Sequence, residues 1–210
     1  FAANFKQRVF PDSGHRPDPF EFLIQHGDIQ LISFSFQPTD HKVIPVSTPL
    51  NASATPAGAL MSSSMFEVPP YQREYAWQED EVSEFWSDLR DALQLETYFL
   101  GLVILTDEDG PRRHVVDGQQ RLLTLTLLAA ALYHEAIHHG RSALADRLKS
   151  DFLFSIDYKT DEILPRVKLT DTEDNETLQK ILTSDQERLQ KNLIQDISVS
   201  QRLDESFVFI

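Results

Sequence analysis

The sequence predicts an α/β (α+β) fold, a small mixed sheet packed with helices and followed by a helical part, and three segments carry that reading. Thr97–Thr106 (TYFLGLVILT) is a nearly continuous run of apolar, β-branched and aromatic residues, the pattern of a buried strand. Asp117-Gly118-Gln119-Gln120-Arg121 leads without a spacer into LLTLTLLAAALYHEAIHH, which is apolar on nearly every side until Tyr133 and so reads as a helix at the centre of a domain. Between them in character lies Glu79–Glu96, where Val82, Phe85, Trp86, Leu89 and Leu93 form one apolar stripe and the acids mostly face away from it. At 210 residues and 41% hydrophobic, the chain has material for one sizeable core.

The remaining elements follow in order. Phe20–Gln25 and Ile29–Phe36 flank His26-Gly27-Asp28 and read as a hairpin around a tight turn. Val46–Ser64 is rich in Pro, Ser, Thr, Ala and Asn and reads as a loop or linker. Phe66-Glu67-Val68 is a short strand, stopped by Pro69-Pro70, which remove two backbone donors. Asp107–Gly110 is a turn, and Arg112–Val116 returns as the second strand of a hairpin. Gly140 terminates the central helix, whose last turns carry His134, His138 and His139, where the helix dipole favours positive charge. Ser142–Phe152 reads as a helix, and Asp151–Asp157 with Ile163–Leu169 as strands. Thr170-Asp171 caps a helix near Thr172–Leu182, and Gln186–Ile197 is one more amphipathic helix.

Composition narrows the function. No cysteine is present, which excludes a disulfide framework and every cysteine-ligated metal site. No run approaches the roughly 18 apolar residues of a membrane span, so no membrane partner is expected. No basic segment is followed by an apolar one and a small-residue cleavage site, so a cytoplasmic location is the expectation. The net charge of −14 argues against a uniformly basic nucleic-acid-binding surface. A local basic pocket is compatible with it, since Arg73 and Arg121 lie inside the two motif segments and Arg112 and Arg113 just before the second.

Three constellations compete for the chemistry. A strand that ends in Asp-Gly and turns straight into a helix leaves backbone N–H groups unpaired at the helix start, and these attract anions, phosphates above all. At Asp117–Arg121, Gly118 permits close approach, Gln119 and Gln120 offer uncharged amide bonds, and Arg121 offers a planar fork for phosphate oxygens. Asp117 could hold a magnesium-bound water or simply cap the helix, with the Gln-Gln-Arg run solvated. The second constellation is Val68–Trp77 (VPPYQREYAW): Tyr71, Gln72 and Arg73 beside a stiff Pro-Pro turn could wall a recognition pocket, while Tyr75 and Trp77 read also as anchors of the following helix. The third is His134-Glu135-Ala136-Ile137-His138, an H-E-x-x-H pattern that on a helix could chelate zinc with Glu135 as general base. No specified third ligand follows it.

The order V-P-P-Y-Q-R-E-Y-A-W, an acidic helix containing W-S-D-L, Y-F-L-G-L-V-I-L, then V-V-D-G-Q-Q-R-L-L-T-L-T-L-L is similar to the N-terminal domain of GmrSD-type modification-dependent (type IV) restriction enzymes. That domain belongs to the ParB/sulfiredoxin-like superfamily. The resemblance covers Phe66 to Leu182. It implies an extension and linker over 1–65, a nucleotide-binding domain over 66–182 and a helical start of a C-terminal region over 183–210. It further implies a nucleoside triphosphatase using GTP or ATP with Mg2+. Asp117, Gln119, Gln120 and Arg121 would be its catalytic residues, and Gly118, Arg121, Tyr71, Gln72 and Arg73 would hold the nucleotide. Tyr71, Gln72 and Arg73 would also detect modified DNA, with phosphorothioate DNA the mark one subtype senses. In such enzymes the domain controls an HNH nuclease; no Asp-His pair followed by Asn and His at nuclease spacing occurs in this sequence, so the nuclease is expected in cis beyond it or in trans. A DNA-binding adaptor without hydrolysis and an HExxH zinc peptidase are the rival readings.

Overall fold

The computed structural model describes residues 29–36, 51–92, 95, 97–107 and 111–183. The apolar run becomes β4 (Tyr98–Asp107), and the sheet is organised around it. On one side β4 pairs in parallel with β1 (Ile29–Phe36), which in turn pairs antiparallel with β2 (Asn51–Pro56). On the other side it pairs antiparallel with β5 (Arg113–Asp117). Beyond β5 lie β3 (Phe66–Val68) and β8 (Val167–Leu169), both parallel to their neighbours. The result is a six-stranded mixed sheet in the order β2-β1-β4-β5-β3-β8. The expected mixed sheet packed with helices is therefore present.

One expectation for the first part of the chain is corrected. Residues 51–63, read as part of a loop, form β2 and helix α1 (Ala57–Ser63). The Asn, Ala, Ser and Pro residues of β2 have weak strand preference, and the ladder to β1 supplies what local propensity does not. In α1, Ala57, Leu60 and Met61 recur at helical spacing and are buried in the core. Of the expected hairpin, Phe20–Gln25 lies outside the described residues; the two sides of β1 are taken by β2 and β4.

Helix α2 (Glu79–Ala92) buries Val82, Phe85 and Leu89, as the stripe requires. Strand β4 is less buried than its composition suggests: Leu100, Val103 and Leu105 enter the core while Phe99 and Leu102 face outward. A bulge at Leu100-Gly101 interrupts its ladder to β1, and Gly101 takes φ +136° there.

Helix α3 (Gln119–His138) is the centre of the domain. Every residue from Leu122 to Leu132 is buried, and each buried Leu contributes about 1.5–3 kcal/mol relative to exposure. Gly140, at φ +68°, ends the helix as expected. Helix α4 (Ser142–Leu148) widens into one π-helical turn at Lys149–Leu153, so the helix expected over Ser142–Phe152 changes hydrogen-bonding period within its length. Strands β6 (Phe154–Asp157) and β7 (Glu162–Pro165) form a separate two-stranded ribbon. Arg112 joins that ribbon to the sheet: its guanidinium donates to the carbonyls of Phe66, Arg166 and Pro165 at 3.1, 3.2 and 2.8 Å. Its guanidinium is thereby committed to backbone carbonyls, and burial lowers its pKa. Helix α5 (Thr172–Thr183) is capped by Asp171, whose Oδ1 accepts from the Asp174 N–H at 3.0 Å. The helix expected over Gln186–Ile197 lies outside the described residues.

Candidate functional site

Strand β5 ends at Asp117 and α3 begins at Gln119, with Gly118 alone between them. Gly118 has φ +87°, and a Cβ there would lie 2.6 Å from the Leu102 carbonyl oxygen and 2.9 Å from Val103 Cγ2. Only glycine allows this junction to press against β4. Gly118 is the N-cap, with no side-chain cap on the helix. Asp117, which one reading made the helix cap, instead accepts the Gly118 N–H on Oδ1 at 2.8 Å. The first intrahelical bond runs from Leu122 N to the Gly118 carbonyl at 3.1 Å. The N–H groups of Gln119, Gln120 and Arg121 precede it, so the helix start presents its donors uncapped.

The Gln-Gln-Arg run is not solvated. Gln119 and Gln120 are only 5% and 6% exposed, and their amides hold the segment that carries the other motif. Gln119 Nε2 donates to the Arg73 carbonyl at 2.7 Å, and Gln120 Nε2 donates to the Glu74 carbonyl at 3.1 Å. Gln120 Oε1 accepts from Ala76 N at 2.9 Å and from Trp77 N at 3.4 Å. From the other direction, Gln72 Nε2 donates to the Val116 carbonyl at 2.8 Å. Two motifs more than 40 residues apart thus form one hydrogen-bonded unit.

A cavity of about 320 Å³ lies at this junction, lined by Gln72, Arg73 and Trp77 on one side and by residues 117–121 on the other. Arg73 is exposed. The Arg121 guanidinium lies over the Gly101 bulge, where a Cβ would come within 2.8 Å of its Nε. Among the described residues neither arginine has a hydrogen-bond or salt-bridge partner for its side chain. Tyr71 is 70% exposed and is not part of the cavity wall. Tyr75 is buried, its hydroxyl 2.8 Å from Thr124 Oγ1. Because Thr124 donates to the Gln120 carbonyl, Tyr75 is the donor of that pair. Trp77 packs edge-on against Phe85 at 5.2 Å and also walls the cavity, so it is both anchor and lining.

The family model described as the GmrSD restriction endonuclease N-terminal domain matches residues 58–208, well over half of the chain, and both motif segments fall inside the match. The chain belongs to this family. It is, accordingly, a component of a restriction system. A comparison with curated proteins returns no match. Among the described residues of this GmrSD N-terminal domain, no helix is long and apolar enough to cross a membrane.

The H-E-x-x-H segment of the GmrSD domain is not assembled as a metal site. His134 is buried with Nε2 2.9 Å from the Ile181 carbonyl of α5, whereas His138 is exposed and packs against His139. Glu135 is bonded to His139 at 2.8 Å. Among the described residues, no group of three metal-ligating side chains converges. Gly101 is the site residue that sequence reasoning passed over. A glycine interrupting an otherwise continuous apolar strand was the available signal, since such a glycine marks a bulge or a close approach.

Proposed function

We propose that this chain is the nucleoside-triphosphate-hydrolysing sensor of a modification-dependent restriction system, acting at the β5–α3 junction and controlling a nuclease in cis or in trans. The observation that carries the reading is the convergence of both motifs on one cavity with an uncapped helix start and two arginines that, among the described residues, have no side-chain partner. Its volume is near the lower end of the about 300–1,000 Å³ usual for ligand pockets, a fit for a triphosphate with the nucleoside directed outward. The N–H groups of Gln119, Gln120 and Arg121 receive phosphate oxygens, and Arg121 and Arg73 stabilise the charge that develops on the transferring phosphoryl group. Both ends of the Gln120 amide are committed to the backbone of 74–77, so Gln119 is the glutamine that orients the attacking water.

Asp117 is the one carboxylate that the described residues place on the cavity wall, with Oδ1 on Gly118 and the residue exposed. That donor set fits Mg2+, which is usually bound by one or two carboxylates together with substrate phosphates. Mg2+ held there would neutralise phosphate charge. Tyr71 and Arg73, at the outer edge of the same unit, meet the DNA, and an exterior that is acidic elsewhere suppresses contact with unmarked duplex.

The test is nucleotide hydrolysis by the purified chain with GTP and with ATP, alone and with unmodified, phosphorothioated or glucosylated DNA. Turnover stimulated by one modified DNA is the expected result. A chain that neither binds nor hydrolyses any nucleoside triphosphate under all these conditions overturns the reading. DNA affinity that falls with salt but ignores nucleotide would then identify the adaptor function instead.

A further inference from the structure

Resting on the nucleotide-site reading, we infer that residues 71–77 form a strap with a fixed half and a releasable half, and that Gln119 is its latch. The fixed half is 74–77. Gln120 holds it at three backbone groups, and the Tyr75 ring is buried with its hydroxyl on Thr124. The releasable half is 71–73, where Tyr71 and Arg73 are exposed. It is tied by Gln72 to the Val116 carbonyl and by Gln119 Nε2 to the Arg73 carbonyl.

The latch is closed in an unsatisfied state. Gln119 Oε1 is buried and, among the described residues, has no hydrogen-bond partner. Its orientation is forced, because flipping the amide would set oxygen against the Arg73 carbonyl oxygen at 2.7 Å. A buried acceptor left unpaired costs more than one ordinary hydrogen bond returns. The closed arrangement is therefore poised to give way once a ligand favours another.

Arg73 supplies the preference. Its side chain lines the cavity and its carbonyl is the group Gln119 holds, so drawing the guanidinium onto phosphate oxygens pulls on that carbonyl. When it leaves, the Gln119 amide turns toward the cavity and its oxygen gains a donor. A ligand shifts the strap only by its differential affinity for the two arrangements, and Arg73 is the residue that creates the difference. Gln120, whose amide is paired at both ends, stays in place as the pivot.

The full chain, labelled with ¹⁵N-glutamine, tests this by solvent exchange of the side-chain amides, with peaks assigned through Gln119→Met and Gln120→Met. On saturation with a non-hydrolysable nucleoside triphosphate and Mg2+, Gln119 Nε2 exchange is expected to rise about tenfold, the factor that loss of one hydrogen bond near the upper end of the usual range gives, while Gln120 does not change. In Arg73→Ala, the ligand at saturation leaves Gln119 protected. Calorimetric binding with both amides unchanged, or with both released together, overturns the latch and leaves the nucleotide reading standing. No binding by calorimetry overturns the nucleotide reading and the latch with it.

Discussion

The two ends of α3 each carry a motif that spells out chemistry, and they differ in what their side chains hold. At the N-terminal end the glutamine side chains grip a second segment, and among the described residues Arg73 and Arg121 have no side-chain partner around the cavity. At the C-terminal end His134 turns into the core to a carbonyl of α5, and His138 and His139 pack on each other outside. The H-E-x-x-H letters satisfy the spacing of a zinc helix, yet one imidazole already has a structural bond and the other is exposed against His139. A motif is a candidate site where its groups converge with vacant valence, and among the described residues only the first end does so.

The largest expected effect breaks this comparison at its chemical end. Arg121→Ala and Asp117→Ala should each lower kcat for nucleotide hydrolysis by about 10²–10³-fold, the range seen when one charge-stabilising group is removed. Urea unfolding should remain close to wild type, because neither side chain is in the core. Equal losses from His138→Ala would show that the two ends had been assigned the wrong way round.

Gly118→Ala tests the backbone of the same end. Alanine would have to adopt φ +87° with its Cβ 2.6 Å from the Leu102 carbonyl oxygen. Backbone strain and overpacking together predict a loss of about 2–5 kcal/mol in urea or thermal unfolding. Gly101→Ala meets the movable Arg121 side chain rather than backbone, but alanine at φ +136° is itself strained, so it should cost about 1–3 kcal/mol in unfolding and impair hydrolysis as well.

How much of this was legible before the structure follows the same division. The stripe of α2, the strand–Asp-Gly–helix junction, the Gly140 terminator and the Asp171 cap are local patterns, and each formed where its residues said it would. Strand β2 was not legible, because Asn-Ala-Ser-Ala-Thr-Pro becomes a strand only beside β1. Nor were the partners of Gln119 and Gln120. Three long polar residues heading an apolar helix signal a need for partners, but that those partners are backbone groups of Arg73, Glu74, Ala76 and Trp77 is a fact of tertiary structure.

Smaller effects separate holding from catalysis at each end. Gln120→Leu leaves the Glu74 carbonyl and the Ala76 and Trp77 N–H groups to find water, and should destabilise by about 1–3 kcal/mol. His134→Ala removes the bond to Ile181 and the packing around it, for about 1–3 kcal/mol, with nucleotide hydrolysis unchanged. Metal analysis of the purified chain should show no zinc, and one equivalent lost on His134→Ala would restore the peptidase reading.

The smallest effect concerns α5, which bonds one end and faces the charge of the other: Ile181 meets His134, while Asp174 lies within the electrostatic reach of Glu74 on the strap. Asp174 is 6% exposed, and burial first, then the charges of Asp171, Glu74 and Glu173, raise its pKa above the ordinary aspartate value. A raised folded-state pKa means the folded chain holds this proton more tightly than the unfolded chain does. The group's stabilising contribution is complete below the unfolded pKa and is lost as pH rises through the folded one. Asp174→Asn is neutral at every pH, so it should melt higher than wild type at pH 7, and the gap should close as pH falls through that window. Thermal melts of the pair across pH decide it. A gap independent of pH would mean that the substitution acts through packing, and that the charge facing Glu74 places no load on the strap.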